Sequence, residues 1–250
     1  MSTRRDMLPI AMAFAGVAGF AWLVGQQDLW ARVLGELFPR SARPIYPGAT
    51  VAELTWQHLR LVGISSGLTL LVGLPLGIWV TRPSGADFRE IVAAAVDFGQ
   101  TFPPVAVLAL MMPILGFGLW PAVVALFLYG MFPVVSNTVA GLEAVPHTLV
   151  DAARGMGMGR ARILLTLELP LAARVIMAGV RTSVVINIGT ATVAAAVGAG
   201  GLGDPIIGGI NVQNMAYVLQ GATAAALLAI VADGLLATTE RLVTPRGLEA

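Results

Sequence analysis

Apolar residues in this chain gather into long runs, and polar residues collect in the segments between them. A helix needs about 20 apolar residues to cross the ~30 Å hydrocarbon core of a bilayer. Runs of that order cover residues 7–25, 61–80, 91–115, 119–135, 174–197 and 217–236. The 91–115 run is interrupted by Gln100, Thr101, Pro103 and Pro104, and prolines there break the hydrogen-bond ladder of a helix. The pattern predicts an all-α, polytopic membrane protein with about six transmembrane helices.

Composition supports that class and removes others. Of the 250 residues, 57% are hydrophobic and 12% charged, with a mean hydropathy of +0.82. Soluble domains carry about 25% charged residues, and disordered chains are more polar still. All 15 basic residues are Arg. With no Lys there is no P-loop lysine and no lysine Schiff base. With no Cys there are no disulfides, thiolate nucleophiles or Cys-ligated metals. His58 and His147 lie far apart, which argues against a zinc site built on histidine. A net charge of +1 offers no basic field for nucleic acid.

The segments between the runs set an orientation. With the N-terminus inside, Arg4, Arg5, Arg82, Arg89, Arg154, Arg160, Arg162, Arg174, Arg241 and Arg246 fall on inner segments, and Arg181 lies near the inner end of its span. Arg32, Arg40, Arg43 and Arg60 fall outside. Positive residues favour the cytoplasm, so both termini are expected there. Ser2-Thr3-Arg4-Arg5 ahead of an apolar run has the look of an export signal as well, and either reading leaves residues 26–59 outside. That segment contains Trp30, Tyr46 and Trp56, residue types that suit a membrane interface, and it is too short for a separate binding domain. The division expected is an N-terminal helix and outer segment over 1–53, a transmembrane unit over 54–240 and a tail over 241–250.

The most informative stretch runs from residue 142 to 170, on the inner side between the fourth and fifth runs. It is amphipathic rather than transmembrane. Pro146 suits a helix start, and Asp151 falls in the early turns, where an acid complements the helix dipole. Ala152 and Ala153 favour helix, whereas Gly155, Gly157 and Gly159 break it and allow a tight turn. A second short helix is expected to stop near Pro170. Two short helices on a glycine turn, surrounded by Arg154, Arg160 and Arg162, make a knob. Such a knob suits docking into a soluble partner, and it equally suits lying on anionic lipid.

The order of residues in this knob resembles a known signature. Asp151-Ala152-Ala153, then Gly157 after three residues, then Leu167, Leu169 and Pro170 after nine more, is similar to the EAA signature of ABC importer permeases. Asp replaces the usual Glu, and Leu167 the usual Ile. Further segments resemble the osmoprotectant branch of that family, whose solutes are glycine betaine, carnitine and choline. These are Gln100-Thr101-Phe102-Pro103, residues 152–158, Val175 to Thr182, Asn187 to Thr192, and the glycine-rich residues 198–203. The resemblance extends over about residues 54–210. It implies the type I ABC importer permease fold and a coupling helix at the knob. It also implies separate ATPase subunits that hold ATP and Mg, an extracytoplasmic substrate-binding protein and a second permease copy, homologous or identical. The chain itself then binds no cofactor and makes or breaks no bonds. It is placed as a multi-pass protein of a bacterial inner membrane, in contact with lipid. The alternative solutes are amino acids or another small polar compound; the alternative classes are a membrane-embedded enzyme or a lipid-binding scaffold.

Other signals admit two uses each. Residues 198–203 spell the dinucleotide fingerprint in letters, but they follow a span rather than a strand, and Thr223 stands where an acid is required. A glycine turn on the outer face, followed by a short helix at Asp204-Pro205, fits better. Gly63 and Gly67, like Gly73 and Gly77, have the spacing that lets helices approach. Gln100, Thr101, Asn187, Thr190 and Thr192 are candidates to line a translocation path, or to bond neighbouring helices. Asp97 and Asp233 lie in or near spans, where either residue is placed to reach the inner interface. Phe98, Phe102, Phe117, Trp120 and Tyr129 offer aromatic faces for a quaternary ammonium.

Overall fold

The computed structural model describes residues 3–243, with side chains from 9 to 242. The side chains of Arg4 and Arg5, and the whole of Ser2 and Arg246, lie outside the described residues, as does most of the expected tail. The described chain is helical and contains no strand. Its helices are α1 (Thr3–Gly25), α2 (Gln27–Leu37), α3 (Val51–Val80), α4 (Arg89–Thr101), α5 (Pro104–Leu115), α6 (Leu119–Glu143), α7 (His147–Gly155), α8 (Arg160–Ile163), α9 (Leu169–Thr190), α10 (Gly203–Asn211) and α11 (Met215–Val243).

Four helices are long and apolar enough to cross a membrane, or up to six if each of two bent pairs counts as one span. The pairs are α1 with α2, bent by 75°, and α4 with α5, bent by 95°. The second bend lies where the sequence places Pro103 and Pro104. Phe102, ahead of the prolines, is extended with ψ 131°, as the residue before a proline prefers. Its carbonyl accepts from the Tyr129 hydroxyl, so α6 supplies the partner that the broken ladder lost.

The helices reach further than the apolar runs. α3 begins at Val51 because Thr50 and Glu53 form a reciprocal capping box. The expected outer segment therefore holds α2 and the first turns of α3. Trp30 is buried, with its indole N–H on the Leu23 carbonyl at 3.0 Å, so only Trp56 presents its ring outward as an interface aromatic would.

The core is organised around α6, with α3 and α9 against it. Small residues set the approach: a Cβ on Gly77 would meet Thr138 at 2.8 Å, and one on Gly179 would meet the Pro133 carbonyl oxygen at 2.4 Å. Gly73 likewise packs on Val134, whereas Gly63 and Gly67 face open space. Half of the expected glycine packing is thus absent within the described chain, because that face of α3 has no neighbour.

The knob differs from expectation at its second helix. Pro170 does not stop it. Residues Arg160–Val197 form one continuous 38-residue helical span, with a π turn over Leu164–Glu168. There the Leu169 N–H reaches back to the Leu164 carbonyl. The wider turn takes up the missing proline donor and the clash of its ring with the preceding turn.

Candidate functional site

The knob is a small folded unit with its own core. Val150 and Ala153 of α7 and Ile163 of α8 pack with Leu142, Val145 and Ala172, and Leu167 leans on the same cluster. α7 ends in a Schellman motif: the Gly157 N–H bonds the Arg154 carbonyl at 2.9 Å, and the Met158 N–H bonds the Ala153 carbonyl at 3.1 Å. Gly157 holds φ at +82°, which a side chain would strain. The signature glycine is therefore the residue that turns the chain between α7 and α8. Ala153 is small because it is buried; Ala152 and Asp151 are exposed, and Asp151 pairs only with Arg154 in the same helix, at 3.2 Å. The outer surface of the knob offers Leu149 and Met156, both exposed, between Arg154, Arg160 and Arg162.

Two ion pairs anchor the knob end to the helices, and the sequence reading gave neither partner set a role. Glu168, inside the π turn and nearly buried, accepts from Arg82 at 2.5 Å just past the end of α3. Arg89, at the start of α4, pairs with Glu143 at the end of α6. The available signal was a carboxylate set inside an apolar run: Glu168 stands between Leu167 and Leu169.

The path candidates divide by position. Gln100 donates to the Tyr129 carbonyl at 3.2 Å, and exposed Thr101 caps the Phe98 carbonyl at 2.7 Å. Asn187 is fully buried inside the protomer, donating to Ser66 Oγ at 3.1 Å, and its Oδ1 has no partner there. Thr190 and Thr192 flank the change from α9 into the 3-10 turn Ala191–Val197; both are partly exposed, and Thr192 bonds the Gly189 carbonyl. Gln100 and Thr101 thus share the α4–α5 break, and the other three residues sit near the opposite end of α9.

Charges within the spans are handled differently from each other. Asp233 does not reach for an interface: it takes Arg181 of α9 in a two-toothed pair, with Glu240 at 3.9 Å. Asp97 is exposed on α4 and makes no ion pair or hydrogen bond among the described residues.

The end opposite the knob is closed by the glycine turn. The His58 ring, buried in α3, bonds the Ile188 carbonyl through Nε2 at 2.9 Å and accepts the Leu202 N–H on Nδ1 at 3.3 Å. A neutral ring carrying its proton on Nε2 satisfies both. Gln57 accepts the Gly201 N–H at 3.0 Å, and Gly201 sits at φ +98°. The turn follows a span and leads into α10, so it has no strand on which to hold a dinucleotide. At the start of α10, burial holds the Asp204 carboxyl above its ordinary range.

Comparison with known proteins gives this architecture its relatives. An inward-facing MetNI methionine ABC transporter superposes with a TM-score of 0.69 at 25% identity, covering 78% of this chain and 96% of the other. The osmoprotectant import permease protein OsmY of Salmonella typhimurium is 41% identical over 229 residues, 92% of this chain and 91% of that protein. The glycine betaine/carnitine/choline transport system permease protein OpuCB of Bacillus subtilis is 41% identical over 203 residues, 81% of this chain and 92% of that protein. The family model for the binding-protein-dependent transport system inner membrane component matches residues 73–245. A core of packed spans and a knob turned by Gly157 and packed through Ala153 and Leu167 fit that match, and the chain belongs to the binding-protein-dependent transport system inner membrane components.

Proposed function

We propose that this chain is the translocating subunit of an ATP-driven importer for a quaternary-ammonium osmoprotectant such as glycine betaine, choline or carnitine. The observation that carries the reading is the knob. A short helix with exposed Asp151, Ala152 and Met156 stands on its own core and is tied into α9 and α6. That is a shape that can receive force from a soluble partner and pass it to spans. The partners are two ATPase subunits, which hold the ATP and Mg, a binding protein on the opposite side, and a second permease copy that completes the path. This chain supplies no catalytic group of its own.

In this reading the knob end is cytoplasmic and the glycine-turn end faces outward, with both termini inside. ATP-driven closure of the ATPases draws the knobs together and opens the permease pair outward; hydrolysis returns it inward. Residues 54–240 form the translocation unit, with α1 and α2 appended and residues 241–250 as a cytoplasmic tail. Thr101 lines the path at the α4–α5 break, where Gln100 braces α4 against α6, and Thr190 and Thr192 line it at the change of helix type, where Asn187 braces α9 against α3. The osmoprotectant class is preferred to amino acids because relatives named for osmoprotectants stand at 41% identity and the methionine transporter at 25%.

The test is uptake of labelled choline and glycine betaine by the complete complex in proteoliposomes, with Gly157→Asp beside it. Gly157→Asp is expected to lower ATP-driven uptake by about tenfold or more and to weaken co-purification with the ATPase, because the aspartate is forced to a positive φ at the docking turn. Intact uptake and intact ATPase association in this variant would defeat the coupling role.

A further inference from the structure

We infer that Asp97 holds the positive charge of the permeating solute at mid-depth in the path, on a polar strip of α4. The inference rests on the function proposed above and adds to it the site that meets the solute's charge.

α4 is two-faced although it is half of a broken span. Val92, Val96 and Gln100 turn to α6. Glu90, Ala94, Asp97 and Thr101 recur at helical spacing on another side, and all four are exposed. A lipid-facing surface is apolar, so a strip that carries Asp97 well above the level of Arg89 is not one.

The depth of Asp97 follows from the contacts of its own helix. Arg89 pairs with Glu143 at the knob end of α6, and Gln100 bonds Tyr129 near the middle of α6. Asp97 lies between these levels and nearer the second, about 12 Å along α4 from Arg89 at ~1.5 Å per residue. A carboxylate in hydrocarbon is strongly disfavoured. At this depth it requires water or a cation.

Among the described residues, a second copy of this chain has no free cation to offer at that level. Ser183 bonds the Gly130 carbonyl and Gly179 abuts Pro133, which sets Arg181 at the same height as Asp97, and Asp233 already holds it. Arg174 lies near Gly141, whose neighbours are Ala172 and Val175, about 12 Å closer to the knob end.

A quaternary ammonium has no N–H to donate, so it is recognised by charge and by ring faces. Both are present. Phe98 follows Asp97, stands 62% exposed, and meets Phe102 edge-to-face at 4.9 Å. The helix break begins at Phe102 itself, the first residue after α4. One carboxylate with one aromatic pair is a weak site, as a path requires if the solute is to leave again.

The experiment uses the complete complex, with its ATPases, second permease subunit and binding protein, in proteoliposomes. Uptake of choline, a net cation, and of glycine betaine, a zwitterion, is measured for wild type, Asp97→Asn and Asp97→Glu. Asp97→Asn is expected to slow choline uptake about tenfold and glycine betaine uptake less, with assembly and ATPase activity kept, and Asp97→Glu to restore most of the choline rate. Wild-type choline uptake by Asp97→Asn overturns the inference, and so does loss of complex assembly in that variant, which would place Asp97 in an interface. If the wild-type complex moves neither solute, the solute class proposed above fails first and takes this site with it.

Discussion

Gly179 and Gly155 are both helical glycines, yet they stand in opposite surroundings. A Cβ on Gly179 would lie 2.4 Å from the Pro133 carbonyl oxygen and 2.5 Å from Asn137, backbone and side chain of a packed helix. A Cβ on Gly155 would meet nothing within 4 Å. Gly179→Ala is therefore expected to cost about 1–3 kcal/mol, as overpacked cores do, and to lower the melting temperature in detergent. Gly155→Ala is expected to leave it within the range of a neutral surface change. Equal melting temperatures for the two variants would show that α9 can move off α6 at little cost. Composition cannot distinguish these glycines. What separates them is which helix lies opposite, a fact set by tertiary packing. Gly157 was more legible, because a glycine at a fixed distance after Asp151-Ala152-Ala153 already implied a turn, and its positive φ supplies the reason.

Among elements, α8, the π turn and α9 act as one. The sequence reading ended the second knob helix at Pro170, which is the ordinary consequence of a proline. The chain avoids it by widening a single turn, inside which Glu168 is held by Arg82. Arg82→Met removes that partner and leaves a carboxylate beside the apolar knob core. The expected loss is about 1–3 kcal/mol, the cost of an unsatisfied, mostly buried acid partly relieved by remaining exposure. Combining it with Glu168→Met is expected to recover most of that stability, since the pair can be replaced by packing. Thermal melts of the three variants check this; an additive double variant would mean that the pair is not coupled. The long helices were readable from runs long enough to cross a bilayer, whereas the short α2 in the outer segment was not. Helix ends were not, because α3 starts at a capping box and α6 extends to Glu143, which pairs with Arg89 of α4.

For the whole molecule, the described chain presents two unlike ends: an arginine-edged knob and a glycine turn pinned by His58 and Gln57. The natural sequence contains no Cys, so single cysteines report which end faces which side. Val212→Cys, beyond α10, is expected to react with a membrane-impermeant maleimide in intact cells, and Thr148→Cys, on the knob, only after permeabilisation. The reverse pattern would invert the proposed orientation. The family and its six apolar runs were legible from the sequence. Which polar residues turn inward was not: Asn187 and Thr101 look alike as polar residues in spans, and only packing turns one into the protomer and leaves the other on an open face.

The continuous span from Arg160 to Val197 has a mechanical consequence. Its 38 residues make a rod of about 57 Å at ~1.5 Å per residue. One end carries the knob and the other runs into the glycine turn. A rotation of about 5° at the handle sweeps the far tip through about 5 Å, close to the width of a small solute's head group. Because Pro170 fails to interrupt the rod, the coupling proposed above can act by leverage through one continuous helix, with no hinge at the proline.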